Sequence, residues 1–175
     1  MKRVVIIGSG GAGKSTLARK LSKLIDVEVF HLDSYMWRPG WELVSREEQA
    51  SIQSELVQQK EWICDGNYGA TMDIRLREAD TIIFLDMPRI LCLYRAVKRV
   101  VTYWKQTRPD MAPGCEERFS WEFLKWIWNY PEKKRPGLLQ RLNEHALEKE
   151  IVLLCSSQEV DDFLLSINRK RETAL

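Results

Sequence analysis

The sequence predicts an α/β fold in which helices cover both faces of a parallel sheet. Three observations support this prediction. Five short apolar runs, each typical of a buried strand, alternate along the chain with stretches of amphipathic helical periodicity. A glycine-rich turn joins the first run directly to the first helix. Aspartates follow three of the runs, which indicates a binding edge at the carboxyl ends of the strands.

Each predicted strand is a short apolar run that ends at glycine or at a polar residue. The runs lie at about residues 4–7, 27–32, 62–64, 81–85 and 151–155. The first run does not alternate between polar and apolar residues, as expected for a strand buried on both faces. Asp33, Asp65 and Asp86 follow the second, third and fourth runs. Because the strands alternate with helices, we expect one parallel sheet with right-handed crossovers.

Helices are predicted where apolar residues recur every three or four positions. They cover about residues 14–25, 45–59, 88–104, 121–129, 131–147 and 158–168. Ser45 with Glu48 forms a capping-box signature for the second helix, and Ser120 is a suitable N-cap for the fourth. The segment 107–114 contains Pro and Gly in the proportion typical of a mobile loop.

The glycine-rich turn reads G-S-G-G-A-G-K-S and matches the phosphate-binding loop G-x-x-x-x-G-K-[ST]. Its glycines allow backbone N–H groups to point at an anion, and the helix that follows adds the positive end of its dipole. Lys14 can reach the β- and γ-phosphates of ATP, and Ser15 offers a hydroxyl to Mg²⁺. The predicted nucleotide-binding residues are Gly8, Ser9, Gly10, Gly11, Ala12, Gly13, Lys14, Ser15 and Thr16.

Phosphoryl transfer also needs a metal ligand, a group that positions the acceptor, and cations for the transferred charge. We predict that Asp65 binds Mg²⁺ or its waters, the alternative being an aspartate that caps a turn. Asp33 could accept the proton of a substrate hydroxyl, or it could form an Asx turn. Arg95, Arg99 and Arg108 could stabilise the transferred phosphoryl group, whereas the first two could instead form a solvated helix face.

The predicted acceptor site lies beside Asp33, between Arg38 and the segment 67–77. In this site Arg38, Arg75 and Arg77 could bind an acceptor that carries a phosphate or carboxylate. The two arginines of the segment could instead pair with neighbouring acidic residues on a helix surface, where they would contribute little.

Several stretches together resemble one known family. They are GSGGAGKSTLARKL at the start, HLD ending at Asp33, CDGNYGATMDIRLREADTIIFLDMPR, and the segments 37–41, 107–111 and 121–128. With them, nearly the whole chain resembles the bacterial topology modulation proteins of the FlaR type, P-loop kinases of the adenylate kinase-like group. The resemblance implies a P-loop NTPase three-layer sandwich, a sheet ordered 2-3-1-4-5, and a helical lid between the fourth and fifth strands.

The resemblance also assigns a role to Asp65. In the adenylate kinase motif D-G-F-P-R, the aspartate at this position orders Mg²⁺ through water. This chain reads D-G-N-Y-G there, so the arginine that holds an acceptor phosphate in that motif is missing from its usual place.

These features predict a cytoplasmic, Mg²⁺- and ATP-dependent kinase with a small-molecule acceptor of the nucleotide, nucleoside or shikimate type. Residues 1–175 are expected to form one domain, with an acceptor-side segment at about residues 34–60 and a lid at about residues 105–120. We expect a monomer or a homodimer. No apolar run has the length of a membrane span, and the one at the N-terminus is too short for a signal peptide.

Two other functions stay open from the sequence. The family name suggests a nucleic-acid-associated P-loop ATPase that affects DNA topology, and the aromatic residues of segment 121–130 could stack on bases or simply pack. A net charge of +2 with mixed Lys, Arg, Asp and Glu does not support nucleic-acid binding. The second alternative is a sensor that binds nucleotide without turnover. The chain lacks the N-K-x-D motif of a GTPase.

Overall fold

The computed structural model describes residues 1–173, and a five-stranded parallel sheet lies at the centre of this part of the chain. The strands are β1 (Arg3–Gly8), β2 (Val29–His31), β3 (Trp37–Arg38), β4 (Glu42–Leu43), β5 (Trp62–Asp65), β6 (Thr81–Leu85) and β7 (Glu150–Leu154). The central sheet has the order β2-β5-β1-β6-β7, while β3 and β4 form a separate antiparallel hairpin. Numbered without the hairpin, this is the predicted order 2-3-1-4-5. Residues 174 and 175, which the predicted domain includes, lie outside the described residues.

Helices cover both faces of the sheet and complete a three-layer sandwich. They are α1 (Lys14–Ile25), α2 (Leu32–Met36), α3 (Arg46–Leu56), α4 (Met72–Glu78), α5 (Arg89–Thr102), α6 (Trp121–Lys133), α7 (Arg135–His145) and α8 (Ser157–Thr173). The predicted cap at Ser45 is confirmed, because its hydroxyl accepts a hydrogen bond from the backbone N–H of Glu48 at 3.1 Å. Ser120 caps α6 in the same way, through the N–H of Phe123.

The alternation of side chains along β1 divides the core into two clusters. Val5 and Ile7 are fully buried on one face of the sheet, together with residues of α3, α4 and α7. Val4 and Ile6 are fully buried on the other face, against α1, α5 and α8. Since both faces of β1 are covered, its run of four consecutive apolar residues is physically required.

Three short elements escaped the sequence analysis, because none is long enough to show a period. The second strand ends at His31 rather than at residue 32, and α2 begins directly after it. The hairpin of β3 and β4 surrounds the turn that Pro and Gly predicted at residues 39–40. Helix α4 has only seven residues, and its buried face includes Arg75, which conceals the apolar pattern.

The region between β6 and β7 differs from the prediction in its helix boundaries. Helix α6 continues through Pro131 to Lys133, although a proline lacks the N–H that would bond to Ile127. Helix α7 therefore begins at Arg135 instead of at residue 131. The segment 103–120 contains turns and isolated bridges. Helix α5 ends before this segment and α6 begins after it. Among the helices of residues 1–173, none combines the length and apolar composition needed to span a membrane.

Candidate active site

The glycine-rich turn lies between β1 and α1, where the sequence motif predicted it. Gly11 has a φ of 75° and Gly13 a φ of 100°, in the left-handed region that side chains with a Cβ rarely adopt. A Cβ on Gly11 would also lie 2.1 Å from the backbone oxygen of Cys92. The turn therefore depends on glycine for its backbone conformation and for its close contact with α5.

Lys14 is the first residue of α1, and its side chain folds back over the turn. Its Nζ donates hydrogen bonds to the backbone oxygens of Gly8 and Ser9, at 3.1 and 3.0 Å. Burial lowers the pKa of Lys14, and the nearby carboxylates of Asp33 and Asp65 oppose this effect. The ammonium group is thus held over the loop and opposite two carboxylates, where an anionic ligand would gain a direct charge contact.

A cavity of about 920 Å³ opens above this turn, at the carboxyl ends of the central strands. Most of the predicted site residues line it. They are Gly10, Gly11, Ala12, Gly13, Lys14, Ser15, Thr16, Asp33, Asp65, Arg95, Arg99 and Arg108. Gly8 and Ser9 lie beneath the turn and are buried without lining the cavity.

Asp65 ends β5 and pairs with His31 at the end of the adjacent strand β2. The two residues are direct partners in the parallel register, and Nδ1 of His31 lies 2.6 Å from Oδ1 of Asp65. Although burial lowers the pKa of His31, its hydrogen bond to Asp65 and the charge of that carboxylate raise the pKa overall. Oδ2 of Asp65 has no hydrogen-bond partner among residues 1–173, so it is open to a ligand in the cavity.

Asp33 lies in the first turn of α2 and contacts Tyr68 from the loop after β5. The hydroxyl of Tyr68 donates a hydrogen bond of 2.7 Å to Oδ1 of Asp33. Tyr68 has a φ of 40°, a left-handed conformation that is unusual for an aromatic residue and turns its ring toward α2. Burial raises the pKa of Tyr68, and the charge of Asp33 adds to the effect. The tyrosine therefore stays protonated and orients the carboxylate.

The three predicted arginines all line the cavity, but each has a protein partner. Arg95 donates to the backbone oxygen of Ala12 at 3.1 Å and to the hydroxyl of Ser157 at 2.9 Å. Arg99 contacts Oε1 of Glu117 through Nε at 3.1 Å. Burial lowers the pKa of Arg99, and the charge of nearby Arg108 adds to this.

Two acidic residues of segment 103–120, Asp110 and Glu117, were missed by the sequence analysis. Arg108 is 8% exposed and lies between them, 2.9 Å from Oδ2 of Asp110 and 2.7 Å from Oε2 of Glu117. Burial raises the pKa of Asp110, but the charge of Arg108 and a hydrogen bond with Ser15 outweigh it and lower the pKa. Asp110 lies in the segment 107–111 that contributes to the family resemblance, but no motif assigns a role to either carboxylate.

Asn67 begins the predicted acceptor segment 67–77, but its contact with the glycine-rich turn was not predicted. Its side chain accepts a hydrogen bond from the N–H of Gly8 and donates one to the oxygen of Gly8, at 3.2 and 2.8 Å. Its backbone oxygen accepts from Arg75 at 2.7 Å. Asn67 therefore links the glycine-rich turn to the loop that carries Tyr68, and its hydrogen bonds hold these two loops next to each other.

The arginines suggested for an anionic acceptor are placed elsewhere. Arg75 is fully buried and donates to Gln53 and to the backbone oxygens of Gly66 and Asn67, so it supports the loop from beneath. Arg38 is paired with Glu48 through both carboxylate oxygens, on the surface. Arg77 is exposed on α4, and none of the three lines the cavity. Their suggested role in binding an anion does not fit these positions.

The aromatic residues of segment 121–130 take three kinds of position, and one of them, Tyr130, is buried in the core away from the cavity. Phe123 and Trp126 line the cavity, with their rings stacked at 6.0 Å and 9°. The Phe123 ring lies directly over the turn, because a Cβ on Gly10 would come within 2.5 Å of it. Trp121 and Trp128 are 72% and 50% exposed and lie away from the cavity. Some aromatic residues of this segment therefore pack over the site, and others lie on the exposed surface.

Comparison with known proteins agrees with this fold. No family model matches the chain. It is 29% identical over 170 residues to shikimate kinase from Leptospira biflexa, a match that covers 85% of this chain and 93% of that protein. It is 24% identical over 176 residues to the uncharacterized protein YqaC of Bacillus subtilis, covering 99% and 96% of the two chains.

Two solved structures show the same architecture. Shikimate kinase from Acinetobacter baumannii, in complex with shikimate, superposes with a TM-score of 0.60 at 16% identity, covering 99% of this chain and 94% of that chain. Deoxyadenosine kinase from M. mycoides, with dCMP and dCDP bound, gives a TM-score of 0.53 at 15% identity, covering 98% and 99%. The chain therefore has the fold of the P-loop kinases. The resemblance to topology modulation proteins is not confirmed by these comparisons.

Proposed function

We propose that the protein is a kinase that transfers the γ-phosphoryl group of ATP, with Mg²⁺, to a small-molecule acceptor. One observation carries the proposal. A single cavity contains the phosphate-binding turn with Lys14, the carboxylates of Asp33 and Asp65, and three arginines. These are the groups that phosphoryl transfer requires for binding polyphosphate, placing the metal and stabilising the transferred charge.

The residues present suit a magnesium ion. Mg²⁺ is usually held by one or two carboxylates, waters and substrate phosphates rather than by a complete protein cage. Within residues 1–173 no cluster of three or more metal-ligating side chains occurs. The Ser15 hydroxyl and the free oxygen of Asp65 would hold the ion, and His31 fixes the orientation of that carboxylate. Bound there, Mg²⁺ would neutralise charge on the β- and γ-phosphates.

The chain's own residues have separate tasks in this proposal. Backbone N–H groups of residues 8–16 and Nζ of Lys14 bind the phosphates. Asp33 orients the acceptor hydroxyl and receives its proton. Arg95, Arg99 and Arg108 stabilise the transferred phosphoryl group. Segment 34–60 contributes the acceptor side of the site, and segment 105–120 forms the lid.

The location of the protein, its oligomeric state and its alternative functions belong to the same proposal. A cytoplasmic location and a monomer or homodimer would suit such an enzyme. A nucleic-acid-associated ATPase that changes DNA topology is the first alternative, and a nucleotide sensor without turnover is the second. Arg99 and Arg108 are paired with carboxylates inside the cavity, which favours a small molecule over a nucleic acid, because a nucleic-acid site needs an accessible basic surface.

The experiment measures nucleotide binding and acceptor-dependent ADP release in parallel. Mg-ATP is expected to raise the melting temperature of the wild-type protein. Lys14→Ala should weaken ATP binding by about 10- to 150-fold, the effect of removing a hydrogen bond to a charged group. Lys23→Ala, on the exposed side of the same helix, is the matched control and should bind ATP normally.

The outcomes separate the alternatives. Acceptor-dependent ADP release supports the kinase. Saturable ATP binding without turnover on any acceptor supports the sensor, and ADP release that depends on DNA supports the ATPase. A wild-type protein without any thermal shift from ATP or ADP, with Mg²⁺ present, would refute nucleotide binding altogether.

A further inference from the structure

Aromatic rings line the part of the cavity next to Asp33. Trp37 and Trp41, which flank the β3–β4 turn, and Tyr68 from the loop after β5 line it together. We call this part, defined by Asp33, Trp37, Trp41 and Tyr68, the acceptor end. Aromatic surface in a binding pocket favours a ligand with a flat apolar face, because stacking and burial stabilise such a ligand strongly.

The rings at the acceptor end are held in place by specific contacts. Trp37 and Trp41 meet edge to face, with centroids 5.5 Å apart. The indole N–H of Trp41 donates a hydrogen bond of 2.8 Å to the backbone oxygen of Glu116, and Trp37 and Tyr68 pack against the same core cluster. Both indoles also pack on the buried residues Met111, Ala112 and Cys115. The rings are therefore preorganised, which reduces the entropy lost when a ligand binds.

The acceptor end is poor in available positive charge. The cations among the described residues that line the cavity are Lys14, Arg19, Lys20, Arg95, Arg99, Arg108 and Arg118. Lys14 and Lys20 belong to α1, and Arg95 contacts the phosphate-binding turn through the backbone oxygen of Ala12, so these three lie at the nucleotide side. Arg19 also belongs to α1, but it lies 3.9 Å from Oδ1 of Asp110. Arg19, Arg99 and Arg108 each lie within 4 Å of a carboxylate of Asp110 or Glu117, so each already has an acidic partner.

Arg118 is the remaining cation of that set, and its position does not make an anion site. It is exposed and stacks on the face of Trp41, with 5.6 Å between Cζ and the ring centroid. An exposed guanidinium is screened by solvent and contributes little to binding an anion. The arginines that could have held an acceptor phosphate or carboxylate, Arg38 and Arg75, are committed outside the cavity.

From this arrangement we propose that the acceptor is an uncharged molecule with an aromatic ring and a free hydroxyl, of the nucleoside class, and that nucleoside monophosphates and carboxylic acids are poor acceptors. The proposal rests on the proposed kinase function and names its substrate class. An anionic acceptor would have to bury its charge beside Asp33 and Asp65 without a cation of its own, which is unfavourable. A neutral ring matches the surface that the indoles present.

Phosphoryl transfer to such an acceptor forms one bond, breaks one bond and releases one proton. The hydroxyl oxygen of the acceptor forms a bond to the γ-phosphorus of ATP, and the bond from that phosphorus to the β–γ bridging oxygen breaks. The hydroxyl proton passes to Oδ2 of Asp33, which has no hydrogen-bond partner among the described residues, and then to solvent. The products are ADP and the acceptor phosphomonoester. Tyr68 holds the other oxygen of Asp33 throughout.

The test compares matched acceptors with the wild-type protein. ADP release with Mg-ATP is followed over adenosine, guanosine, cytidine, uridine and their 2′-deoxy forms, over the 5′-monophosphates of each, and over shikimate. We expect at least one nucleoside to have a kcat/KM at least about tenfold above that of its own monophosphate and of shikimate. Calorimetric titration of the same compounds, with a non-hydrolysable ATP analogue present, measures binding independently of turnover.

The outcomes distinguish this inference from the proposed function. Preference for a monophosphate or for shikimate would overturn the nucleoside class while leaving the kinase intact. Absence of saturable binding for every nucleoside, up to the usual upper limit for KM of about 1 mM, would overturn it as well. Absence of ATP binding would instead remove the proposed function itself, and the inference with it.

A pair of tryptophan variants tests where the ring binds. Trp37→Leu should raise the KM for the preferred nucleoside about 5- to 100-fold, the loss expected for one stacking contact. Trp128→Leu is the matched control, since Trp128 is exposed and contacts Arg89 away from the cavity. A folded Trp37→Leu protein with an unchanged KM would contradict the proposal. If that variant does not fold, the acceptor panel on the wild-type protein decides alone.

Discussion

The guanidinium of Arg108 lies 2.7 Å from the carboxylate of Glu117, and both side chains are more than nine-tenths buried. Asp110 contacts the same guanidinium from the other side, at 2.9 Å. Arg108, which the proposed reaction needs to stabilise the transferred phosphoryl group, is therefore already paired with two carboxylates. Bound nucleotide would compete with them for Arg108, because phosphate oxygens form charge-assisted hydrogen bonds with the same geometry.

The first prediction concerns the mobility of segment 105–120. A non-hydrolysable ATP analogue should slow hydrogen exchange in this segment, because Arg108 would then join the lid to the phosphates. Exchange measured by mass spectrometry checks this. Arg108→Ala should abolish the slowing, whereas Lys105→Ala, at an exposed position of the same segment, should preserve it. Unchanged exchange in a protein saturated with nucleotide would remove the lid from the mechanism.

The second prediction concerns Asp33. Asp33→Asn should lower kcat/KM for the acceptor at least about tenfold and leave the affinity for ATP nearly unchanged, because the amide cannot receive the hydroxyl proton. Steady-state kinetics and ATP titration provide the two values. Asp73→Asn is the control, since Asp73 is exposed on α4 and pairs with Arg141 at 3.5 Å. An equal loss of ATP binding in Asp33→Asn would place the acceptor elsewhere.

The third prediction concerns the buried guanidinium of Arg75. Arg75→Leu should lower the free energy of unfolding by about 3 kcal/mol, because the partners of Arg75 would be left buried without a donor. These partners are the side chain of Gln53 and the backbone oxygens of Gly66 and Asn67. Urea denaturation measures the change. Arg77→Leu, on the exposed face of α4, should change it by no more than about 0.5 kcal/mol, and equal effects of the two variants would refute the supporting role.

The fourth prediction is a dependence of stability on pH. Burial of Asp80 would raise its pKa, but hydrogen bonds from Thr81 and from the backbone of Arg3 and Lys2 outweigh this and lower the pKa. A carboxyl whose pKa is lower in the folded state stabilises the fold above its ordinary value of about 3.9, and the contribution is lost as the pH falls through the folded value.

Asp80→Asn should therefore lower the free energy of unfolding at pH 7. Its difference from the wild type should shrink as the pH falls below about 4, toward the lowered pKa of Asp80. Denaturation series at several pH values provide the curves. Asp161→Asn, an exposed surface position paired with Lys20 at 3.5 Å, should show a smaller pH dependence. A constant difference between Asp80→Asn and the wild type over this range would contradict the assigned role.

The sequence alone determined the features that are written into short stretches of neighbouring residues. The run before Gly8, the spacing from Gly8 to Ser15 and the helix after it predicted a glycine-rich turn between a strand and a helix, which the structure has in that place. The alternation of apolar runs with helical periodicity predicted the parallel sheet, and the family resemblance implied its strand order. Asp33 and Asp65 were expected at one edge because parallel strands end on the same side of a sheet.

The tertiary structure decided which charged groups are available to a ligand. Arg75 and Arg108 are both arginines in polar stretches, yet one lies beneath a loop and the other lines the cavity between two carboxylates. The partners of a side chain often lie far away in the chain: the Asp33–Tyr68 contact joins residues 35 positions apart. Each charged side chain could pair with any of several oppositely charged residues in the sequence. Only the packing of the helices and strands decides which of these residues lies beside it. For this reason the sequence indicated the candidate phosphate site, and the folded chain defined the surface of the proposed acceptor site.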